Sequence, residues 1–97
     1  MRYDIYLADS ALDDLRRMRA RDRSEIRDAI ERYLRTAAER TSRSRIRRLR
    51  GLNRPMFRLR VGDFRVYYDV DGATVDILAV LPKLDSERWL HEHGEPQ

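Results

Sequence analysis

Arginines alternate with apolar residues in the run FRLRVGDFRVYYDV, which begins at Phe57 of this 97-residue sequence. A guanidinium group is a planar fork of donors that grips two phosphate oxygens at once. Arg58, Arg60 and Arg65 are therefore candidates for a phosphate clamp. Tyr67, which follows in the same alternation, could stack on a nucleotide or hydrogen-bond to it.

A turn at Gly62-Asp63 would bring these arginines together on one face of a β-hairpin, because a two-residue loop containing glycine is a strong hairpin signal. In that register Arg60 lies opposite Arg65, and the apolar residues share the other face. Like charges directly across a strand pair destabilise a sheet unless an anion lies between them. A phosphate site explains this pair, and a simply solvated sheet face is the alternative interpretation.

A second turn, predicted at Asp71-Gly72, adds a third strand to the sheet. With these two residues as the loop, Asp76 pairs with Tyr67 and Leu78 pairs with Arg65. Both turns then assign the arginines to the outward face. A shift of one residue would turn the apolar residues outward, so the pattern specifies the register.

The elements around this sheet are predicted from hydrophobic spacing and capping residues. Alternation predicts a strand over Arg2–Leu7, and helical spacing predicts helices over about Ala11–Arg19 and Arg23–Ala38. Asp85-Ser86 predicts the start of a short closing helix that carries Trp89.

The predicted order is β-α-α-β-β-β(-α), which is an α+β class. We expect a two-layer architecture in which two N-terminal helices pack on an antiparallel meander. A chain of this length is expected to form one domain over residues 1–97. The last residues, Gly94–Gln97, are expected to fray.

Positive charge is concentrated in one segment. Arg40–Arg65 contains ten arginines and one acid, a net charge of +9, whereas the rest of the chain carries −5. GC-rich codon usage would explain why arginine replaces lysine, but not why acids avoid this segment. The segment therefore predicts a polyanionic or acidic partner. Its first part, Arg40–Arg54, is expected to be a solvated connector with Ile46 and Leu49 reaching the core.

Several classes of function are disfavoured by the composition. The sequence has no cysteine, which excludes disulfides and thiolate metal sites. Asp13, Asp14 and Asp28 fall on solvated helix faces, so we predict no metal site and no cofactor. The N-terminal residues have no apolar signal region, and the longest apolar run, Ile77–Pro82, is too short to cross a bilayer. A cytoplasmic protein without membrane contact is expected.

The stretch LRGLNRPMFRLRVGDFRVYYDV, followed by VDILAVLPK, resembles the core of the RelE/ParE toxin superfamily. The resemblance covers nearly the whole chain, and the superfamily has the element order predicted above. It implies a toxin of a type II toxin–antitoxin system, with a cognate antitoxin protein as partner.

Two branches of this superfamily imply different activities. The RelE branch is similar to metal-independent, ribosome-dependent endoribonucleases that cut mRNA, whereas the ParE branch poisons DNA gyrase. The short link Arg19–Ser24 lacks the Trp and Gly usual in ParE and therefore favours RelE. A degenerate toxin that retains only antitoxin binding is a third possibility.

Resemblance to RelE also implies the site residues. We predict catalytic roles for four residues: Arg60, Arg65, Lys83 and Trp89. We predict RNA binding by five more: Arg58, Tyr67, Arg47, Arg48 and Arg50.

The predicted site departs from the RelE pattern in ways that affect the chemistry. Trp89 stands where a tyrosine is usual, so it can stack but cannot exchange a proton, or it simply caps the core. Lys83 supplies charge without a bidentate fork. Arginine is always protonated and is a poor general base. The sequence contains no convincing general base.

Overall fold

The computed structural model describes all 97 residues and confirms the α+β class. Its strands are β1 Asp4–Leu7, β2 Ile46–Arg48, β3 Leu52–Arg54, β4 Phe57–Val61, β5 Phe64–Asp71, β6 Thr74–Pro82 and β7 Glu95–Pro96. Its helices are α1 Asp9–Arg16, α2 Ala20–Ala29, α3 Arg35–Ala37 and α4 Lys83–His93, and a π-helical turn, Ile30–Leu34, joins α2 to α3. No helix is both long and apolar enough to cross a membrane.

Five of the strands form one sheet in the order β1-β6-β5-β4-β2, in which β1 is parallel to β6 and the other pairs are antiparallel. Helices α1 and α2 and the π-helical turn pack on one face, here called the inner face, and share a buried cluster with it. Leu15 and Ile26 from the helices join Leu59 and Tyr68 from the strands in this cluster. The Tyr68 hydroxyl donates to the carbonyl of Ala38 at 2.6 Å, which ties the end of the helical segment to the sheet.

The first hairpin has the predicted register. Arg60 pairs with Arg65 across β4 and β5, and Arg58 pairs with Tyr67. These residues lie on the outer face, opposite the helices. Gly62, at the first loop position, has a φ of 54°, which a type II′ turn requires of that position.

The second hairpin contradicts the predicted register. Tyr67 pairs with Ala79 rather than Asp76, and Arg65 pairs with Leu81 rather than Leu78. The cause is the turn type: Gly72 has a φ of 58° and no non-glycine residue has a positive φ, so glycine takes the first loop position and Asp71 stays in β5. A bulge then inserts Leu78 between the partners of Tyr68 and Tyr67.

Two segments expected to be irregular form strands. The Arg40–Arg54 connector contains β2 and β3, and Ile46 is buried and pairs with Leu59 of β4. Leu49 is only half-buried. The C-terminal residues do not fray, because β7 pairs with β3 and the Gln97 amide donates to the carbonyl of Gly51.

Where β6 extends past the end of β1, side chains of α1 form hydrogen bonds with its backbone. Ser10 Oγ donates to the carbonyl of Leu78 at 2.7 Å, and the Asp14 carboxylate accepts from the amide of Val80 at 2.9 Å. Burial raises the pKa of Asp14 in this position. The aspartate therefore satisfies the backbone, which is a structural role.

Candidate nucleic-acid interface

The outer face of the sheet is partly covered by α4. The Trp89 ring stacks on Tyr67 with centroids 5.2 Å apart and planes 17° apart, and His93 stacks on Trp89 at 5.3 Å. Tyr67 is only 2% exposed. The outer face is therefore not simply solvated, and the Tyr67 ring already has a stacking partner.

Beside α4 lies a groove of about 580 Å³, here called the basic groove. Its basic lining residues come from the connector, the first hairpin and the start of α4: Arg47, Arg50, Arg58, Arg65 and Lys83. Tyr67, Ser86 and Glu87 also line it. Six of the nine predicted site residues are thus brought together. The arrangement concentrates cationic donors at a concave surface, as binding of a polyanion requires.

Arg58 is the least satisfied of these cations. Its Nε is buried and has no hydrogen-bond partner. Burial lowers the pKa of Arg58, and the charges of neighbouring arginines, led by Arg65, lower it further. Buried donors normally have acceptors, so this guanidinium is incompletely satisfied within the protein.

Arg65 is held in place by the hairpin itself. One terminal nitrogen, Nη1, donates to the carbonyls of Gly62 and Phe64, both at 2.9 Å. The residue is only 6% exposed. Arg65 is therefore on the predicted face, but it is buried and rigid instead of free in solvent.

Lys83 is positioned by the Gly62-Asp63 turn of the first hairpin. Its backbone amide donates to the carbonyl of Asp63 at 2.7 Å, which fixes the start of α4 against the first hairpin. The Lys83 side chain is exposed at the groove. The partial positive charge of the α4 N-terminus adds to the charge of the side chains.

A match between the sequence and a protein-family model identifies the family of this chain. The model described as ParE toxin of type II toxin–antitoxin system, parDE, matches residues 5–86. The chain belongs to the ParE toxin family. The RelE/ParE resemblance stated from the sequence is thereby confirmed. No curated protein matches the sequence.

Solved structures share the fold of this toxin. The RelB–RelE antitoxin–toxin complex from Methanococcus jannaschii is 22% identical with a TM-score of 0.66, over 86% of this chain and 95% of that chain. The archaeal RelE–RelB complex from Pyrococcus horikoshii OT3 is 20% identical with a TM-score of 0.67, over 86% and 97%. The complex RelBE2 from Mycobacterium tuberculosis is 24% identical with a TM-score of 0.59, over 84% and 99%.

Three predicted site residues of the toxin lie outside the basic groove. Arg60 is exposed on the outer face but does not line the groove. Arg48 is paired with Phe57 on the inner side, and its guanidinium lies 5.1 Å from the centre of that ring. Trp89 lines a second cavity of about 390 Å³. Of these three, only Arg48 lies on the opposite face of the sheet from the groove, because side chains alternate between faces along β2.

The sequence interpretation missed Ser86 and Glu87. Both lie on the face of α4 that begins with Lys83, at positions i+3 and i+4. Helical spacing from Lys83 was the signal that could have found them. The closing helix was expected to be short and to begin only at Asp85-Ser86, so the spacing from Lys83 was not applied.

Proposed function

We propose that this toxin is an endoribonuclease that cuts mRNA on the ribosome, by attack of a 2′-OH on the adjacent phosphate. The observation that carries this proposal is the convergence of five cations on one groove. The proposal uses no metal and no other cofactor.

In this reaction negative charge builds up on the phosphorus oxygens at the transition state. Donors that are already oriented stabilise such charge by about 3 kcal/mol each when they lie close to it. Arg65, fixed by two backbone carbonyls, and Lys83, at the start of α4, are proposed to bind the scissile phosphate. Arg58, which lines the same groove, is proposed to bind the same phosphate or its neighbour.

The remaining predicted residues take other roles in this proposal. Arg47 and Arg50 bind the RNA backbone along the groove, and Arg60 contacts a flanking phosphate from its exposed position on β4. Trp89 supports Tyr67 and holds α4 over the sheet. Direct stacking of Trp89 on a base is not needed.

A cognate antitoxin is the proposed protein partner. The solved structures that share this fold are complexes of toxins with antitoxins. An acidic segment of the partner would complement the basic groove and keep RNA out of it. Action on ribosomes implies a cytoplasmic location.

The test is primer extension on ribosome-bound mRNA with the purified toxin. We expect one or more discrete cuts in the ribosomal decoding site. A message with a single 2′-deoxynucleotide immediately 5′ of the cut should stay intact, because the attacking hydroxyl is missing. Cleavage of the deoxy message at the same rate would contradict 2′-OH attack.

Inhibition of DNA gyrase is the second candidate function. It is favoured by the family model, which is named for the ParE toxins. A supercoiling assay with the same purified toxin separates the two. Inhibited supercoiling together with uncut mRNA would replace the nuclease proposal. If strong expression has no effect on growth, the toxin has lost both activities.

A further inference from the structure

Helix α4 presents different residues to two cavities. Lys83, Ser86, Glu87 and Leu90 line the basic groove, whereas Asp85, Arg88, Trp89 and Glu92 line the second cavity. Each set has the i, i+3, i+4, i+7 spacing of one helix face. Glu87 is the only acidic residue that lines the basic groove.

Glu87 makes no ion pair, although five cationic residues line the same groove. The salt bridges of the chain involve Asp13, Asp14, Glu31, Asp69, Glu95 and Asp85. On the same helix, Asp85 pairs with Arg88 at 3.2 Å. Glu87 is exposed, so its carboxylate is accessible to a ligand in the groove.

The other polar groups of the groove are poorly suited to take up a proton. Arginine has no acceptor atom and stays protonated, and a lysine ammonium has donors only. Ser86 Oγ is buried and donates to the carbonyl of Lys83 at 2.8 Å. Tyr67 is covered by Trp89. A carboxylate, in contrast, is a common general base.

We propose that Glu87 is the general base of the cleavage reaction, an inference that rests on the nuclease function proposed above. A Glu87 carboxylate oxygen takes the proton as the 2′-O–H bond breaks and the 2′-oxygen forms a bond to phosphorus. The bond from phosphorus to the 5′-oxygen breaks, and that oxygen takes a proton from water. The products are a 2′,3′-cyclic phosphate and a 5′-hydroxyl, and Glu87 returns its proton to solvent.

The test compares Glu87→Gln with Glu92→Gln in single-turnover primer extension on ribosome-bound mRNA. Glutamine keeps the shape of the side chain but cannot accept the proton, so Glu87→Gln should slow cleavage by about 100- to 10,000-fold. Glu92 faces the second cavity, and its variant should cut at the wild-type rate. Glu87→Asp should restore part of the activity.

Thermal stability and RNA binding separate general-base catalysis from a structural effect. Both variants should melt at the wild-type temperature, since both side chains are exposed. Loss of the negative charge should leave RNA binding unchanged or slightly tighter.

Two outcomes overturn the assignment, and they are distinguishable. If wild type cuts and Glu87→Gln cuts equally fast or faster, Glu87 only repels RNA and the nuclease function stands. If wild type does not cut any message, the nuclease proposal fails and the base assignment fails with it.

Discussion

At the scale of single residues, the basic groove combines an unsatisfied arginine with a satisfied one. Arg58 is partly buried, lacks a partner at Nε and lies near other cations, whereas Arg65 donates to two carbonyls of the β4–β5 hairpin. Both are proposed to bind phosphate. Their contributions to the free energy of unfolding should nevertheless have opposite signs. The surroundings of Arg58 destabilise its charge, whereas the two carbonyls that accept from Arg65 stabilise its position.

Substitution by methionine tests this difference. Arg58→Met should raise the free energy of unfolding by ~0.5–2 kcal/mol, because it removes a desolvated charge from a repulsive cluster. Arg65→Met should lower that free energy by ~1–3 kcal/mol, because two turn carbonyls lose their donor. Both variants should lose most of the RNA cleavage. Urea denaturation and primer extension provide the measurements, and equal stability changes in the two variants would contradict this account.

At the scale of elements, turn chemistry and helix packing set the geometry of the groove. The first hairpin register was predictable because Gly62 is the first of the two predicted loop residues. The second was not, because Asp71-Gly72 fits a type I′ loop by composition, whereas glycine takes the first loop position in the structure. The bulge at Leu78 follows from long-range pairing that no local pattern records.

The position of α4 is not set by any local pattern in the sequence. The helix has a mixed surface, so periodicity alone does not indicate that it covers the outer face. Its contacts with the sheet include the stacking of Trp89 on Tyr67 and the hydrogen bond from its first amide to the carbonyl of Asp63. Lys83 was found from the resemblance, and the groove residues of the α4 interior were not found at all.

Removing the contact between the Trp89 and Tyr67 rings should loosen α4 and separate the residues of the basic groove. Trp89→Ala should lower the free energy of unfolding by about 3 kcal/mol, since it opens a cavity over Tyr67. Cleavage should fall as well, because Lys83 loses its fixed position. Trp89→Phe keeps a stacked ring and should retain most of both properties. Thermal melts and cleavage rates check this, and a stable but inactive Trp89→Ala protein would favour direct stacking of Trp89 on a base instead.

At the scale of the whole molecule, the arginines of the basic segment fall into two groups, one on each face of the sheet. The charged segment Arg40–Arg65 was evident from the sequence, but alternation in β2 sends its members to opposite faces of the sheet. Arg47 pairs with Arg58 on the outer side, and Arg48 pairs with Phe57 on the inner side. Adjacent arginines should therefore differ in their effect on RNA binding.

Salt dependence measures how many of these charges contact RNA. For single strands the logarithm of the affinity falls by ~0.7 per neutralised phosphate with each tenfold rise in salt. Arg47→Gln should make that slope shallower by ~0.7, because one contact is lost. Arg48→Gln, the matched control, should leave it unchanged. Fluorescence anisotropy with a short single-stranded RNA gives both slopes, and an equal loss in the two variants would mean that RNA contacts both faces of β2.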